Sequence, residues 1–295
     1  LTNELQKLQE IPALRKNGTH IRNGEDLLRK INKIIVEGYN RLQIVTDFDN
    51  TLTADDGVDG KPVLNSFEMF RKCPSIPQSY KDEDYQLFIR YKPIENDPHM
   101  SIEEKSQHLV EWYRAAHNLM KGLKFPRQEL KDIARNVTGS FRDGIHELIS
   151  WINNRKVPIL VLSSGLGEAV VDTLEEANLS SPQMKVLSNF LEVDAEDIII
   201  GMKGNPIHSL NKNEASIKGT EYYEKIKERS NVILMGDTIG DANMVDGMDN
   251  YDTVIKIGYL STKRLTLLPE YLCNFDIVSQ NDQTMDVIRD LVNLL

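Results

Sequence analysis

Leu42-Gln43-Ile44-Val45-Thr46-Asp47-Phe48-Asp49-Asn50-Thr51-Leu52-Thr53 is the stretch from which the rest of the chain is read. It opens as a short apolar run rich in β-branched residues, too short for a helix, so Leu42 to Phe48 reads as a buried strand. The run stops on two aspartates one residue apart. Side chains alternate along a strand, so Asp47 and Asp49 leave its end on the same side. Two carboxylates aimed at one spot repel each other, and a bound divalent cation relieves that repulsion. Many strands also close on a plain polar turn of this composition. The pair therefore gains its meaning from the sequence around it.

Upstream, Glu25 to Glu37 spaces Leu27, Leu28, Ile31, Ile34 and Ile35 as the apolar stripe of a helix, with Gly38 as its stop. Downstream, Thr53 to Lys61 turns polar and acidic. Asp55-Asp56-Gly57 lacks the spacing and closing Glu of a calcium loop and reads as a solvated turn. Residues 71 to 98 carry Pro74, Pro77, Pro93 and Pro98 among many charges, which predicts turns and short helices. Ser101-Ile102-Glu103-Glu104 has the form of a capping box opening a long helix to about Lys121, and a further helix is expected from Pro126 to Asn136. Residues 54 to 137 thus form a mainly helical block.

From Phe141 helices alternate with apolar runs. A helix to Arg155 leads into Val157–Leu162, then Ser163-Ser164-Gly165, then a helix to Asn178. Ile198–Met202 is a further run, and Val232–Met235 ends on Gly236-Asp237. Thr253–Ile257 and Asp276–Val278 look like final strands before a closing helix. Such alternation predicts an α/β fold with a parallel sheet covered by helices on both faces. Ligands bind such sheets beyond the carboxyl ends of the strands. Asp47 and Asp49, Ser163 and Ser164, and Asp237 and Asp241 all fall there, with Lys212 in a loop between them.

The composition narrows the chemistry. Against 45 acidic residues stand 35 Lys plus Arg, a formal charge of −10. That balance argues against a nucleic-acid-binding surface and against attraction to an anionic membrane. An anionic substrate would need positive charge supplied locally, by a metal or a placed lysine. Cys73 and Cys273 make neither a metal-ligand pattern nor a disulfide framework and fit reduced thiols in a cytosolic protein. No run approaches the length of a membrane span.

Taken together, Asp47-Phe48-Asp49-Asn50-Thr51, Ser163, Lys212 and Gly236-Asp237-Thr238-Ile239-Gly240-Asp241 resemble the four motifs of the haloacid dehalogenase superfamily of phosphotransferases. Tyr91-Lys92-Pro93-Ile94-Glu95, Val110-Glu111-Trp112-Tyr113, Leu187-Ser188-Asn189-Phe190, Asn211-Lys212-Asn213 and Lys256-Ile257-Gly258-Tyr259-Leu260 extend the likeness to the cytosolic 5′-nucleotidase III family of pyrimidine 5′-nucleotidases. It runs from about residue 20 to the C-terminus.

The resemblance implies a Rossmann-like core (residues 1–53 and 138–295) with an inserted helical cap (54–137). It implies a Mg²⁺-dependent hydrolase of nucleoside 5′-monophosphates, monomeric and cytoplasmic. Asp47 would be the nucleophile and Asp49 the acid and base. Asp47, Asp237 and the backbone carbonyl of Asp49 would hold Mg²⁺, with Asp241 orienting Lys212 or metal-bound water. Ser163 and Lys212 would bind the phosphoryl group, helped by N–H groups at the helix start after Gly165, beside Ser164. In the cap, Glu95 would contact the base, flanked by Tyr113 and Phe67, the last standing where the family pattern has His or Tyr. Trp112, at helical spacing, reads as core. Pyrimidine and 7-methylguanine bases both stay open.

Three other readings compete. Gly165-Leu166-Gly167-Glu168-Ala169-Val170 half-fits a dinucleotide fingerprint, but Val170 stands where its third glycine belongs, and the aspartates would have no role. The others are a same-fold phosphatase for another phosphomonoester and a non-catalytic nucleotide-binding regulator.

Overall fold

The computed structural model describes residues 4–57, 60–95, 97, 99–248 and 250–295. In chain order the elements are β1 (Thr19–Ile21), α1 (Gly24–Glu37), β2 (Leu42–Thr46), α2 (Ser66–Lys72), α3 (Gln78–Glu95), α4 (Ile102–Met120), α5 (Arg127–Val137) and α6 (Ile145–Arg155). Then follow β3 (Ile159–Leu166), α7 (Gly167–Glu176), β4 (Met184–Asn189), β5 (Leu191–Val193), β6 (Ile199–Met202), α8 (Glu221–Ile226) and β7 (Asn231–Gly236). The chain closes with β8 (Thr253–Leu260), α9 (Leu268–Asn274), β9 (Ile277–Gln280) and α10 (Asp286–Val292).

Seven strands form one sheet in the order β1-β9-β8-β7-β2-β3-β4. β2 lies between β7 and β3 and runs parallel to both. β1 runs antiparallel to β9 at one edge, so the sheet is mixed. All five residues of β2 are buried, as a strand covered on both faces requires. Its alternation splits them between two cores. Ile44 joins Ile31, Ile34, Ile149 and Ile288 on one face, while Val45 joins Leu160, Leu234, Tyr271 and Phe275 on the other. A third cluster joins Met69, Phe70, Met120, Phe125 and Leu130 of the helical block to Leu166, Ala169, Leu191 and Ile199. The block is therefore seated on α7 and on the β5–β6 ribbon.

Four expectations need correction. The proline-marked stretch after residue 71 holds an 18-residue helix, α3. Its charges mask no apolar stripe; Tyr80, Asp84 and Tyr91 are its buried positions, Asp84 being tied to Arg71 at 2.7 Å, and Pro93 falls in the last turn, two residues before the helix ends. Ile198–Met202 is not in the main sheet. β6 pairs antiparallel with β5, and its buried–exposed alternation, with Ile200 in solvent, is that of a half-covered ribbon. The helix expected from Phe141 begins at Ile145, because Phe141 bridges Thr53 and Gly144 turns the chain at φ 85°. The run expected to end at Leu162 continues through Ser163, Ser164 and Gly165 to Leu166 as strand β3. Pro98 of the expected turns, with Val58 and Asp59 of the acidic turn, lies outside the described residues.

Candidate active site

The site forms where β2 and β7 end. The N–H of Asp47 donates to the Met235 carbonyl at 3.0 Å, which fixes the first residue after β2 against β7. Lys212 Nζ reaches in from its loop, donating to Asp47 Oδ1 and, at 2.8 Å, to Asp241 Oδ1. The other Asp241 oxygen accepts the N–H groups of Asp237 at 3.1 Å and Thr238 at 2.9 Å. Asp241 thus fastens Lys212 to the turn after β7. This turn needs Gly236, since a Cβ there would lie 2.2 Å from Asp241 Cβ. Asp47, Lys212 and Asp241 are all buried, so Lys212 is no surface lysine.

Asp237 lies alongside. Its Oδ2 accepts from Arg264 Nη2 at 2.9 Å, and its carbonyl from Tyr271 Oη at 2.5 Å. Asp47, Asp237 and Asp241 offer oxygens within 4.8 Å of one another. With Asp49 nearby, four carboxylates face two cations, Lys212 and Arg264. Asp241 accepts three hydrogen bonds, whereas each oxygen of Asp47 accepts one, from Lys212 and from Thr51 Oγ1 at 3.2 Å, and Asp237 is engaged at Oδ2. Such a cluster of hard oxygen donors, short of positive charge, fits Mg²⁺.

Asp49 is oriented by a residue from the helical block. Ser66 donates its N–H to Asp49 Oδ1 at 3.2 Å and its hydroxyl to Oδ2 at 2.9 Å, while Ser66 Oγ accepts the Leu166 N–H at 3.0 Å. Gly165 makes room: a Cβ there would sit 1.8 Å from Ser66 Oγ. That close approach, and not a pyrophosphate, accounts for this glycine.

Burial sets the protonation. It pushes Asp49 up to about 6, outweighing the Ser66 hydrogen bonds. Burial and then Asp241 push Asp237 up to about 6, against Arg264. Asp47 is likewise held well above the usual carboxylate range by burial, with Lys212 pulling the other way. Burial lowers Lys212, but Asp241 and Asp47 together outweigh it and hold the ammonium above its ordinary value.

Ser163 is buried, and its Oγ accepts the Gly165 N–H at 3.0 Å. The carbonyl of Ser164 accepts from Asn189 Nδ2 at 2.8 Å, and Asn189 also binds Ile207 through both ends of its amide, which steadies the loop leading to Lys212. On the cap side, the rings of Phe67 and Tyr113 meet edge-on at 6.2 Å. Burial pushes Tyr113 up to about 12, opposed by a hydrogen bond with Ser164. Trp112, expected in the core, is half-buried and stacks on Tyr91 at 5.9 Å, outside the three core clusters. Glu95 is engaged at both oxygens, by Lys92 within α3 and by Ser209 Oγ at 2.8 Å. It therefore links the helical block to the Lys212 loop.

Three contributors escaped the sequence reading. Ser66 follows Asn65 in a capping box closed by Glu68, a pattern visible in the sequence. Arg264 lies just past the carboxyl end of β8, where the sheet rule would have pointed. Arg142 gave no signal. Buried, it donates Nε to the Thr51 carbonyl at 2.8 Å, Nη2 to Asn50 at 2.6 Å and Nη1 to Asp282. It also stacks 4.0 Å over Tyr259. It secures the turn after Asp49, where Asn50 takes φ 60°.

A mainly parallel sheet with an inner strand ending on paired aspartates, and a buried lysine between the first of them and a further acid, defines a haloacid dehalogenase-type phosphatase. A crystal structure of a probable phosphoserine phosphatase from Vibrio cholerae shares this fold (TM-score 0.53, 12% identity, 87% of this chain and 65% of that one covered). More narrowly, the chain belongs to the pyrimidine 5′-nucleotidase (UMPH-1) family, whose profile matches residues 50–295. It is 40% identical over 290 residues to the 7-methylguanosine phosphate-specific 5′-nucleotidase of Drosophila melanogaster, covering 98% of this chain and 91% of the relative. The crystal structure of cytosolic 5′-nucleotidase IIIB bound to cytidine superposes with TM-score 0.94 at 40% identity, covering 98% of this chain and 97% of that one. The chain is thus a hydrolase of the 5′-nucleotidase class. Among the described residues no helix is long and apolar enough to cross a membrane.

Proposed function

We propose that this chain is a Mg²⁺-dependent phosphatase of nucleoside 5′-monophosphates bearing cytosine, uracil or 7-methylguanine, working through an aspartyl-phosphate on Asp47. The observation that carries the reading is Lys212 held between Asp47 and Asp241 beside Asp237. Asp47 attacks phosphorus, and the departing ribose oxygen takes a proton from Asp49. Burial suits Asp49 to this role, because it keeps the carboxyl partly protonated near neutral pH. Asp49 then takes a proton from the water that attacks the phosphoryl group, releasing phosphate and restoring Asp47. Lys212 neutralises the phosphoryl oxygens, and the Ser163 hydroxyl and N–H groups at the start of α7, after Gly165, donate to them. Asp47, Asp237 and the backbone carbonyl of Asp49 would hold Mg²⁺, which supplies positive charge to the phosphoryl group when bound.

Residues 54–137 act in this reading as a specificity cap over a catalytic core of 1–53 and 138–295. Tyr113 and Phe67 flank the base, and Glu95 accepts hydrogen bonds from an exocyclic amine or a cationic edge. That favours CMP or 7-methyl-GMP over UMP, with unmethylated purine monophosphates slowest. One relative is named for 7-methylguanosine phosphate and the other is seen with cytidine bound, which supports both bases. We infer further that the enzyme works as a cytoplasmic monomer without nucleic-acid or membrane partners. Phosphate release from a panel of nucleoside monophosphates, with and without Mg²⁺, tests the assignment. No Mg²⁺-dependent release from any member of the panel would overturn it.

A further inference from the structure

A second polar cavity lies at the other end of the sheet from Asp47. The amino ends of β8 and β9 and the first turns of α1 enclose about 220 Å³, lined by Arg22, Arg29, Lys30 and Lys256 together with Asp252 and Asp276. Its carboxylates are already committed. Buried Asp276 accepts from Arg22 Nη2 at 2.6 Å, from Lys30 Nζ at 2.9 and 3.0 Å, and from the Lys256 N–H at 3.0 Å. Asp252 pairs with Lys33, which is not among the lining residues. Arg29 pairs with Asp26 at 2.5 Å.

The Lys256 ammonium is different. It has neither a hydrogen bond nor an ion pair among the described residues. It is half-buried, and burial, the largest cause, holds it below the usual lysine value; Lys30 and Arg22 push the same way, against Asp246 and Asp276. Four cations thus converge on one hollow of a chain whose overall charge is −10. Asp246 and Asp276 act on Lys256 more strongly than its like-charged neighbours do, but neither carboxylate accepts a hydrogen bond from its ammonium.

We propose that this cavity is a second anion site that takes a phosphate group, with Lys256, Lys30 and Arg22 as donors. Three cationic donors arriving from α1, from β8 and from the residue after β1 match a group with oxygens in several directions. The phosphate could arrive as the free ion or on a nucleotide. The site lies apart from the catalytic cluster and does not depend on the hydrolytic reading.

Calorimetric titration of the full chain in Mg²⁺ with inorganic phosphate, and separately with a nucleoside 5′-diphosphate, provides the test. Lys256→Gln is the informative variant, because Lys256 leaves no partner behind. The wild type should bind phosphate at a site that Lys256→Gln weakens by about tenfold or more, the scale of a lost charged hydrogen bond. The variant's thermal midpoint and kcat/KM for a nucleoside monophosphate should stay unchanged, and the tighter of the two ligands names the source. Phosphate binding of unaltered affinity in the variant, or no phosphate binding by the wild type, would overturn the proposal.

Discussion

The floor of the active site and the helical block above it are built by different means. On the floor, Asp47, Lys212, Asp241 and Asp237 are buried and fix one another through charged contacts. In the block, Phe67, Tyr113 and Trp112 are half-buried and held by ring edges and stacks. A charge misplaced by an ångström fails at phosphoryl transfer, whereas an aromatic wall tolerates small shifts and different bases. Ser66 onto Asp49 and Glu95 onto Ser209 are among the contacts that cross between the layers. The contrast predicts that floor variants lose turnover for every substrate, while block variants change the ranking of substrates.

The largest expected effect belongs to Asp47→Asn. An amide is neither nucleophile nor good metal ligand, so kcat should fall on the order of 10⁴- to 10⁶-fold for every substrate while the fold persists. Near-normal turnover in steady-state assays would end the covalent mechanism and the idea of a rigid floor together.

Asp49→Asn comes next, with a loss of about 10²- to 10⁴-fold typical of a missing acid–base group. Mg²⁺ affinity, measured by calorimetry, should survive because the backbone carbonyl remains. Ser66→Ala should cost less, roughly tenfold, and combining it with Asp49→Asn should add almost nothing. Additive losses would show that Ser66 acts on something other than Asp49.

Glu95→Gln tests the block. The preference for CMP or 7-methyl-GMP over UMP should shrink by roughly ten- to a hundredfold, with p-nitrophenyl phosphate hydrolysed as before. An equal loss on both kinds of substrate would mean that Glu95, through Lys92 and Ser209, only fastens the block to the Lys212 loop.

The smallest effect is one of stability and pH. Glu214 lies two residues past Lys212, buried, with Gln43 Nε2 donating to it at 3.0 Å. Burial pushes its carboxyl up to about 7 from an ordinary 4.5. Between those values the folded chain keeps a proton that the unfolded chain gives up, so raising the pH through this window destabilises the fold. Glu214→Gln removes the titration, and its urea midpoint should fall less than that of the wild type from pH 4.5 to 7. The difference should be on the order of 1–3 kcal/mol; parallel curves would place the proton elsewhere.

The floor was legible because strand ends announce themselves: an apolar run, then a polar pair, at places the sheet rule marks in advance. Asp47, Asp237 and Asp241 were found that way, and Lys212 through the likeness of its short motif. The block was harder. In α3, charges surround the few buried positions, so periodicity gave no stripe to follow. The β5–β6 ribbon resembles a sheet strand until its exposed Ile200 is seen. Ser66 and Arg142 act across 17 and about 91 residues of chain, and no local pattern encodes such pairings.

Arg142 carries a consequence for how this sequence can drift. Its guanidinium is satisfied by three carbonyls, so what it recognises is the path of the backbone rather than any partner side chain. Neighbours at Asn50, Thr51 and Asp282 can change identity without offending it, provided the chain keeps its course. A lysine at 142, with one point of charge, could not span three directions at once. The loop behind Asp47 therefore has freedom of spelling but not of route, and that freedom rests on a single arginine some ninety positions away.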